Sequence, residues 1–269
     1  MMTLDYGTLL CPDPIELSIV TIRKPTLRQI YKLTFSTFYL FESFLKMTPN
    51  ILYTEILDES QRAYWESLNE SEKESISLYS IVINDDKLRS IYYRIFEFFF
   101  VDQVIEYDNH YIILKNKVDN DQAIDTNNIK GIITDESFQQ ILDILQQICC
   151  VYEKPASAEN LKFKNKTAQR LYEKLSKARE DQRKRSGRDS SKELALPNII
   201  SAVSNRHYSI TPISVWELTV FQLVDSFNRL QLNAVYEINQ TRVSVWGDEK
   251  NNFDSTLWYK NNNDDVLTL

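Results

Sequence analysis

The sequence predicts a mainly α-helical protein with a small β element, in which an α+β N-terminal half is followed by a helical C-terminal half. Apolar residues recur every three or four positions over most of the chain, as on the buried face of a helix. Acidic and hydroxyl residues stand where several of these runs begin. β-Branched residues cluster only in short runs of the N-terminal half, and the 43% apolar content is enough for a full core.

Three short segments carry the predicted β structure. Residues 15–22 alternate apolar and polar side chains over most of their length and predict a strand. Residues 103–114 contain two β-prone runs around Asp108 and Asn109, which accept turn geometry, and predict a β-hairpin. Residues 129–133 predict one further strand.

Helix starts are marked by proline, asparagine and acidic residues. Pro25 is expected to open one helix at its first position, and a short helix is expected after Pro49. Asn69 and the pair Asp85 and Asp86 are expected to cap the next two helices.

The two helices with the clearest apolar stripes lie in the N-terminal half. Residues 87–100 carry such a stripe and end in a run, 98–101, that is expected to be fully buried. Thr134 is expected to cap a helix whose capping-box partner is Glu136 or Ser137. Pro155 is expected to end that element.

The chain is predicted to have three regions: an N-terminal α+β domain over residues 1–155, a basic helical linker over 156–193, and a C-terminal helical region with a polar tail over 194–269. Residues 170–192 hold nine basic and four acidic side chains, so this segment is basic within a chain of net charge −7. It is interpreted as a solvated joint between two folded regions.

The C-terminal region is predicted to contain two helices, after Pro197 and after Pro212. The second is expected to exceed about 20 residues and has apolar positions on more than one side, so a partner or another domain should cover it. The asparagine-rich tail that follows is expected to be disordered until bound.

No motif for catalysis, cofactor binding or metal binding is present in the sequence. The four glycines are isolated, so the clustered glycines that let a backbone approach a phosphate are missing. His110 and His207 lack a second ligand at helical spacing, and the three cysteines are interpreted as reduced, buried thiols. Acidic pairs fall at helix starts or in the tail. Helix capping explains the pairs at the helix starts. We therefore expect no enzyme activity, no cofactor and no metal.

Charge and hydropathy bear on partners and localisation. With 31 basic and 38 acidic side chains the molecule repels polyanions, so nucleic acid is a disfavoured partner. No run is long enough to span a membrane, and the start lacks the pattern of a signal peptide. The expected location is the cytoplasm, without membrane association.

One alternative uses the basic segment. A cluster of cations there could contact a polyanion, which would make the chain a nucleic-acid-binding accessory protein. Interspersed acids and the lack of nearby aromatic residues favour a solvated helix face instead. The residues of this alternative are Arg179, Arg183, Lys184, Arg185 and Arg188.

Four stretches resemble a protein of tailed bacteriophages and prophages of Gram-positive bacteria, the tail assembly chaperone encoded beside the tape measure gene. The resemblance extends along the whole chain and lies in the residues of these stretches and in their order. Its stretches are residues 5–30, 148–154, 196–207 and 213–250.

The resemblance implies a non-enzymatic factor that coats the long helical tape measure protein before tail tube subunits assemble around it. An apolar helix can be held by helix-in-groove packing. The implied partners are the tape measure protein and tail tube subunits, with homo-oligomerisation and a structural role in the virion left open. The candidate contact residues are Trp216, Phe221, Phe227 and Tyr236.

Overall fold

The computed structural model describes residues 2–107, 111–116, 129–151, 195–248 and 253–259. Over these residues the fold is mainly helical with two small antiparallel sheets, so the predicted fold class is confirmed. The chain divides into an N-terminal unit of residues 1–152 with 219–221 and a C-terminal unit of residues 153–218 with 222–269. The predicted boundary at Pro155 and the predicted linker lie outside the described residues and stay predictions.

The N-terminal unit contains short helices around two longer ones. The helices are α1 (Tyr6–Leu10), α2 (Leu27–Leu33), α3 (Phe35–Leu45), α4 (Pro49–Ile51, continued by a π-helical turn, Leu52–Ile56), α5 (Glu59–Ser67), α6 (Glu70–Ser75), α7 (Leu78–Asn84), α8 (Asp86–Phe99) and α9 (Asp135–Ile148). The strands are β1 (Ile15–Glu16), β2 (Thr21–Ile22), β3 (Gln103–Tyr107), β4 (Tyr111–Lys115) and β5 (Ile129–Ile133).

Side-chain caps begin these helices where the sequence predicts them. Asn69 and Thr134 form capping boxes at the starts of α6 and α9, the latter with Ser137 as partner. Asp85 accepts hydrogen bonds from the backbone of the first turn of α8. Pro25 does not occupy the first helical position, because it precedes Thr26, which is the N-cap of α2.

The prediction of one strand over residues 15–22 is wrong. β1 and β2 pair antiparallel, and the Leu17 N–H donates to the Val20 carbonyl at 2.8 Å to close a tight turn. Ile15, Val20 and Ile22 are all buried. Side chains of a continuous strand alternate between faces, so positions 15 and 20 would have pointed in opposite directions. The turn places them together.

The predicted hairpin at residues 103–114 is present as β3 and β4, which pair antiparallel, and β5 adds to β4 to give the order β3-β4-β5. The predicted turn residues Asp108 and Asn109 lie outside the described residues. Two of the three β4 positions 112–114 are almost fully inaccessible, and all three are buried.

The core of the N-terminal unit is aromatic. Phe138 on α9 is buried, and its ring centroid lies 5.3 Å from that of Tyr92 and 5.7 Å from that of Phe96, both on α8. The prediction that residues 98–101 are fully buried is wrong at Phe98, which is half-buried, and at Val101, which is 38% exposed. The chain is extended after Phe100 and pairs with β2, so neighbouring side chains there face opposite sides.

Polar side chains join the two sheets of this unit. Asp102 accepts the Thr21 N–H at 2.6 Å, and the Lys130 ammonium lies 3.0 Å from the same carboxylate and 2.7 Å from the Thr21 hydroxyl. This ion pair is largely sheltered from solvent, since the Asp102 side chain is 8% exposed. It fixes β5 beside the β1-β2 hairpin.

The C-terminal unit contains α10 (Leu196–Arg206), a 3₁₀ turn (Ser214–Glu217), most of α11 (Val220–Trp246) and a second 3₁₀ turn (Leu257–Tyr259). The helix predicted at Pro197 is present. The helix predicted after Pro212 starts only at Val220, because the residues between them form a turn. It has 27 residues, so its predicted length is confirmed. The 3₁₀ turn at Leu257 gives structure to part of the tail that was predicted to be disordered.

Candidate protein-binding surface

The surface with the most exposed apolar side chains in the C-terminal unit lies on α11 and the segment after it. No described side chain from Gln231 to Trp246 is buried, although this stretch is continuous helix. A helix in water usually buries one apolar stripe. This part of α11 therefore exposes apolar side chains of the kind that other helices bury in a core.

α11 ends at a glycine, and the chain then returns along the helix. Gly247 has φ of 75°, in the left-handed region that favours glycine, and its N–H donates to the Val243 carbonyl at 2.8 Å. The Asp248 carboxylate accepts the Phe253 N–H at 2.9 Å. The Phe253 ring lies 5.5 Å from the ring of Tyr236, so the returning segment covers one side of α11.

The opposite side of α11 carries a second apolar stripe. Phe227 and Ala234 are half-buried, whereas Ile238 and Val245 are 69% and 64% exposed. These positions lie on one face because they are separated by seven or four residues, which is close to a whole number of helical turns. Tyr236 is about 160° away from Ile238 around the helix, at roughly 100° per residue. The prediction that this helix has apolar residues on more than one side agrees with this arrangement.

Exposed aromatic rings follow at the C-terminal end of α11. Trp246 is 76% exposed, and Trp258 and Tyr259 are 52% and 57% exposed. The last two rings meet edge to face at 4.9 Å. Tryptophan and tyrosine are enriched at the centres of protein interfaces because each brings a large apolar area together with a polar group. We call Trp246, Trp258 and Tyr259 the C-terminal aromatic residues.

The structure separates the four candidate contact residues. Phe221 belongs to the N-terminal unit, where it is 3% exposed and its ring lies 6.1 Å from that of Tyr6. Trp216, in the 3₁₀ turn, Phe227 and Tyr236 are half-buried. None of the four is as exposed as Ile238 or Trp246, which sequence reasoning did not select. The signal that could have found Ile238 is the continuation of the apolar spacing from Phe227 and Ala234.

Basic residues of the alternative function lie outside the described residues. Arg179, Arg183, Lys184, Arg185 and Arg188 fall in the stretch between Val151 and Ala195. Nucleic-acid binding through them stays a prediction from sequence.

The reactive side chains that the structure describes have structural roles. Cys149 is buried, and burial raises the pKa of its thiol, which keeps it in the unreactive protonated form. His207 accepts hydrogen bonds from the backbone of Ser209 and Ile210 through Nδ1. The expectation of buried thiols is wrong for Cys11, which is exposed with Sγ 3.4 Å from an Asp13 carboxylate oxygen, and for Cys150, which is half-buried.

A groove of about 240 Å³ lies in the N-terminal unit between the π-helical turn and α7. Tyr53, Tyr64 and Asp85 are among the residues that line it. Asp85 already accepts two backbone hydrogen bonds as the cap of α8. Within the described ranges, no group of three or more histidine, cysteine, aspartate or glutamate side chains could hold a metal ion.

Over the part of the chain that the structure describes, none of the helices combines the length and apolar character needed to cross a bilayer.

Comparison with known protein families finds a match in the C-terminal part of the chain. Residues 186–263 match the model of the family described as the YomV second domain. This family derives from a Bacillus prophage, so the match supports a phage protein. The matched residues include α10, α11 and the C-terminal aromatic residues. No curated protein and no solved structure matches the chain.

Proposed function

We propose that this chain is a non-enzymatic phage tail assembly chaperone that holds the tape measure protein through the C-terminal aromatic residues. The observation that carries the proposal is the coincidence of two features. The segment similar to a prophage family, residues 186–263, is also the segment that exposes Trp246, Trp258 and Tyr259.

Exposure of the apolar surface of these rings to water is unfavourable. Each buries a large apolar area when an apolar surface covers it, at roughly 25 cal/mol per Å². A long amphipathic helix from a tape measure protein offers such a surface repeatedly along its length. A site of a few aromatic residues can hold such a helix reversibly, and reversibility suits a chaperone that must be released when tail tube subunits assemble.

The test is co-expression with the tape measure protein encoded in the same phage or prophage. We expect the tape measure protein to become soluble and to co-purify with the wild-type chain. The double variant Trp246→Ser with Trp258→Ser is expected to lower co-purification by about tenfold or more, as for the loss of interface anchors.

The matched control removes two exposed aromatic rings from the other unit. Tyr31 and Tyr64 are 62% and 54% exposed, so Tyr31→Ser with Tyr64→Ser changes a similar area. Equal loss in both double variants, or a tape measure protein that stays insoluble with the wild-type chain, contradicts the proposal. Recovery of the chain from finished tails in stoichiometric amounts would instead indicate a structural role in the virion.

A further inference from the structure

The second stripe of α11 has the seven-residue spacing of a coiled-coil seam. Gln231, Ile238 and Val245 are seven residues apart, and so are Phe227, Ala234 and Thr241. In the notation abcdefg these are three a and three d positions, and an a/d seam packs against another helix. The stretch from 227 to 245 would extend over about 28 Å at 1.5 Å per residue.

Charges beside the seam fit a second copy of the same helix. Glu237 is a g position and Arg242 is the e position five residues later, and both are exposed. In a parallel, in-register pair each g position faces the following e position of the other helix. Glu237 of each copy would then face Arg242 of the other, which gives two ion pairs by symmetry. An antiparallel pair brings g to g and e to e, so this match of charges is lost.

Polar and apolar residues inside the seam favour the same arrangement. Gln231 is an exposed a position, and in an in-register pair its amide meets an identical amide that can both donate and accept a hydrogen bond. A wholly apolar helix would leave that amide unpaired at a cost of about 1–3 kcal/mol. Ile238 and Val245 fill the other two a positions with apolar side chains, which in an in-register pair meet their counterparts on the other helix.

The face of α11 opposite the seam contacts another segment of the same chain. Tyr236 is an f position, on the side away from the a/d seam, and its ring contacts Phe253 of the same chain. The returning segment therefore leaves the seam accessible. Trp246 is a b position, so the seam and the C-terminal aromatic residues are different surfaces.

We propose that two copies of this chain associate through parallel, in-register pairing of α11 over residues 227–245. The pairing is independent of the tape measure protein, so it can be tested on the purified chain alone. Failure of the proposed function would leave this inference intact, and the reverse also holds.

The first experiment measures mass against concentration by sedimentation velocity. We expect a reversible monomer–dimer equilibrium in the wild-type chain. Ile238→Glu places two carboxylates opposite each other in one layer and is expected to weaken association about tenfold or more. Gln240→Glu adds the same charge at an exposed c position away from the seam, so its association is expected to match the wild type.

The second experiment tests orientation through the charge pair. Glu237→Arg sets cation against cation and is expected to weaken association several-fold. Adding Arg242→Glu to that variant restores the opposite charges and is expected to restore association. Both positions are exposed, so folding is expected to be unaffected, and circular dichroism checks this.

Disulfide trapping gives a direct readout of register. In a Cys11→Ser background, Ile238→Cys is expected to give a cross-linked dimer under mild oxidation, because a residues face each other in an in-register pair. Gln240→Cys in the same background is the control and is expected to give none. A chain that is monomeric at all concentrations, or a dimer that Ile238→Cys cannot cross-link, overturns the proposal.

Discussion

At the scale of single residues, Glu42 departs clearly from its ordinary chemistry. It lies half-buried on α3, and loss of solvation raises the pKa of its carboxyl group to about 7. Lys46 opposes the shift without cancelling it. Sequence reasoning did not select this residue, because its burial depends on tertiary packing.

The raised pKa of Glu42 makes stability depend on pH. Between its reference value of 4.5 and about 7 the folded chain holds more protons than the unfolded chain, so this group's contribution is present at low pH and is lost as the pH rises through that window. Glu42→Gln is expected to remove this decline and to raise the free energy of unfolding at about pH 8 by roughly 1–3 kcal/mol. Urea denaturation at several pH values measures it.

The control for this prediction is Glu97→Gln, which removes the same charge from an exposed position on α8. A Glu42→Gln variant whose stability keeps the wild-type dependence on pH would show that another group causes it.

At the scale of elements, β5 and the β1-β2 turn approach each other closely. A Cβ atom added at Gly131 would lie 2.8 Å from Cβ of Ile19 and 3.3 Å from its Cα. Real Cβ atoms do not approach backbone or branched side chains so closely. The glycine is needed here for its size, because the ion pair of Lys130 and Asp102 draws the two elements together next to it.

Gly131→Ala is expected to lower the free energy of unfolding by about 1–3 kcal/mol, because the overpacked atoms must move. Adding Ile19→Gly removes the clashing side chain, so the double variant should lose less than the sum of the two single losses. Thermal or urea denaturation measures all three. Gly7→Ala is the control, since its added Cβ would meet only a side-chain oxygen of Asp5 at 3.2 Å. Additive losses would mean that the close approach does not limit stability.

At the scale of the whole molecule, stability is distributed unevenly. In the N-terminal unit α8 and α9 carry fully buried aromatic and aliphatic side chains, whereas the described side chains from Gln231 to Trp246 are all at least partly exposed. Local opening costs less where fewer apolar contacts are lost. The last four turns of α11 are therefore expected to open at a lower free energy than α8 and α9.

Amide hydrogen exchange should report this difference. In the Ile238→Glu variant, which is expected to be monomeric, amides of residues 231–246 should exchange about tenfold faster or more than those of α8 and α9. In the wild type their exchange should slow as protein concentration rises. Equal protection of α11 and α8 at every concentration would mean that the single chain already stabilises this helix.

Local signals were sufficient where a few neighbouring residues decide the outcome. Asn69, Asp85 and Thr134 begin helices because each cap satisfies backbone donors within its own turn. The length of α11 followed from helical spacing in the same way. Sequence spacing predicted the candidate surface only in part. It indicated that α11 has apolar residues on more than one side, but it did not identify the most exposed of them.

The sequence by itself therefore determined the fold class, the starts of α6, α8 and α9 and the presence of apolar residues on more than one side of α11, since these depend on neighbouring residues and their spacing along the chain. Tertiary structure decided that residues 15–22 reverse direction, that Phe221 is buried against Tyr6 and that Phe253 returns to cover Tyr236. The last two outcomes depend on contacts between residues that are far apart in the chain. The burial of a side chain depends on which distant side chains pack against it, and a local sequence pattern does not contain that information.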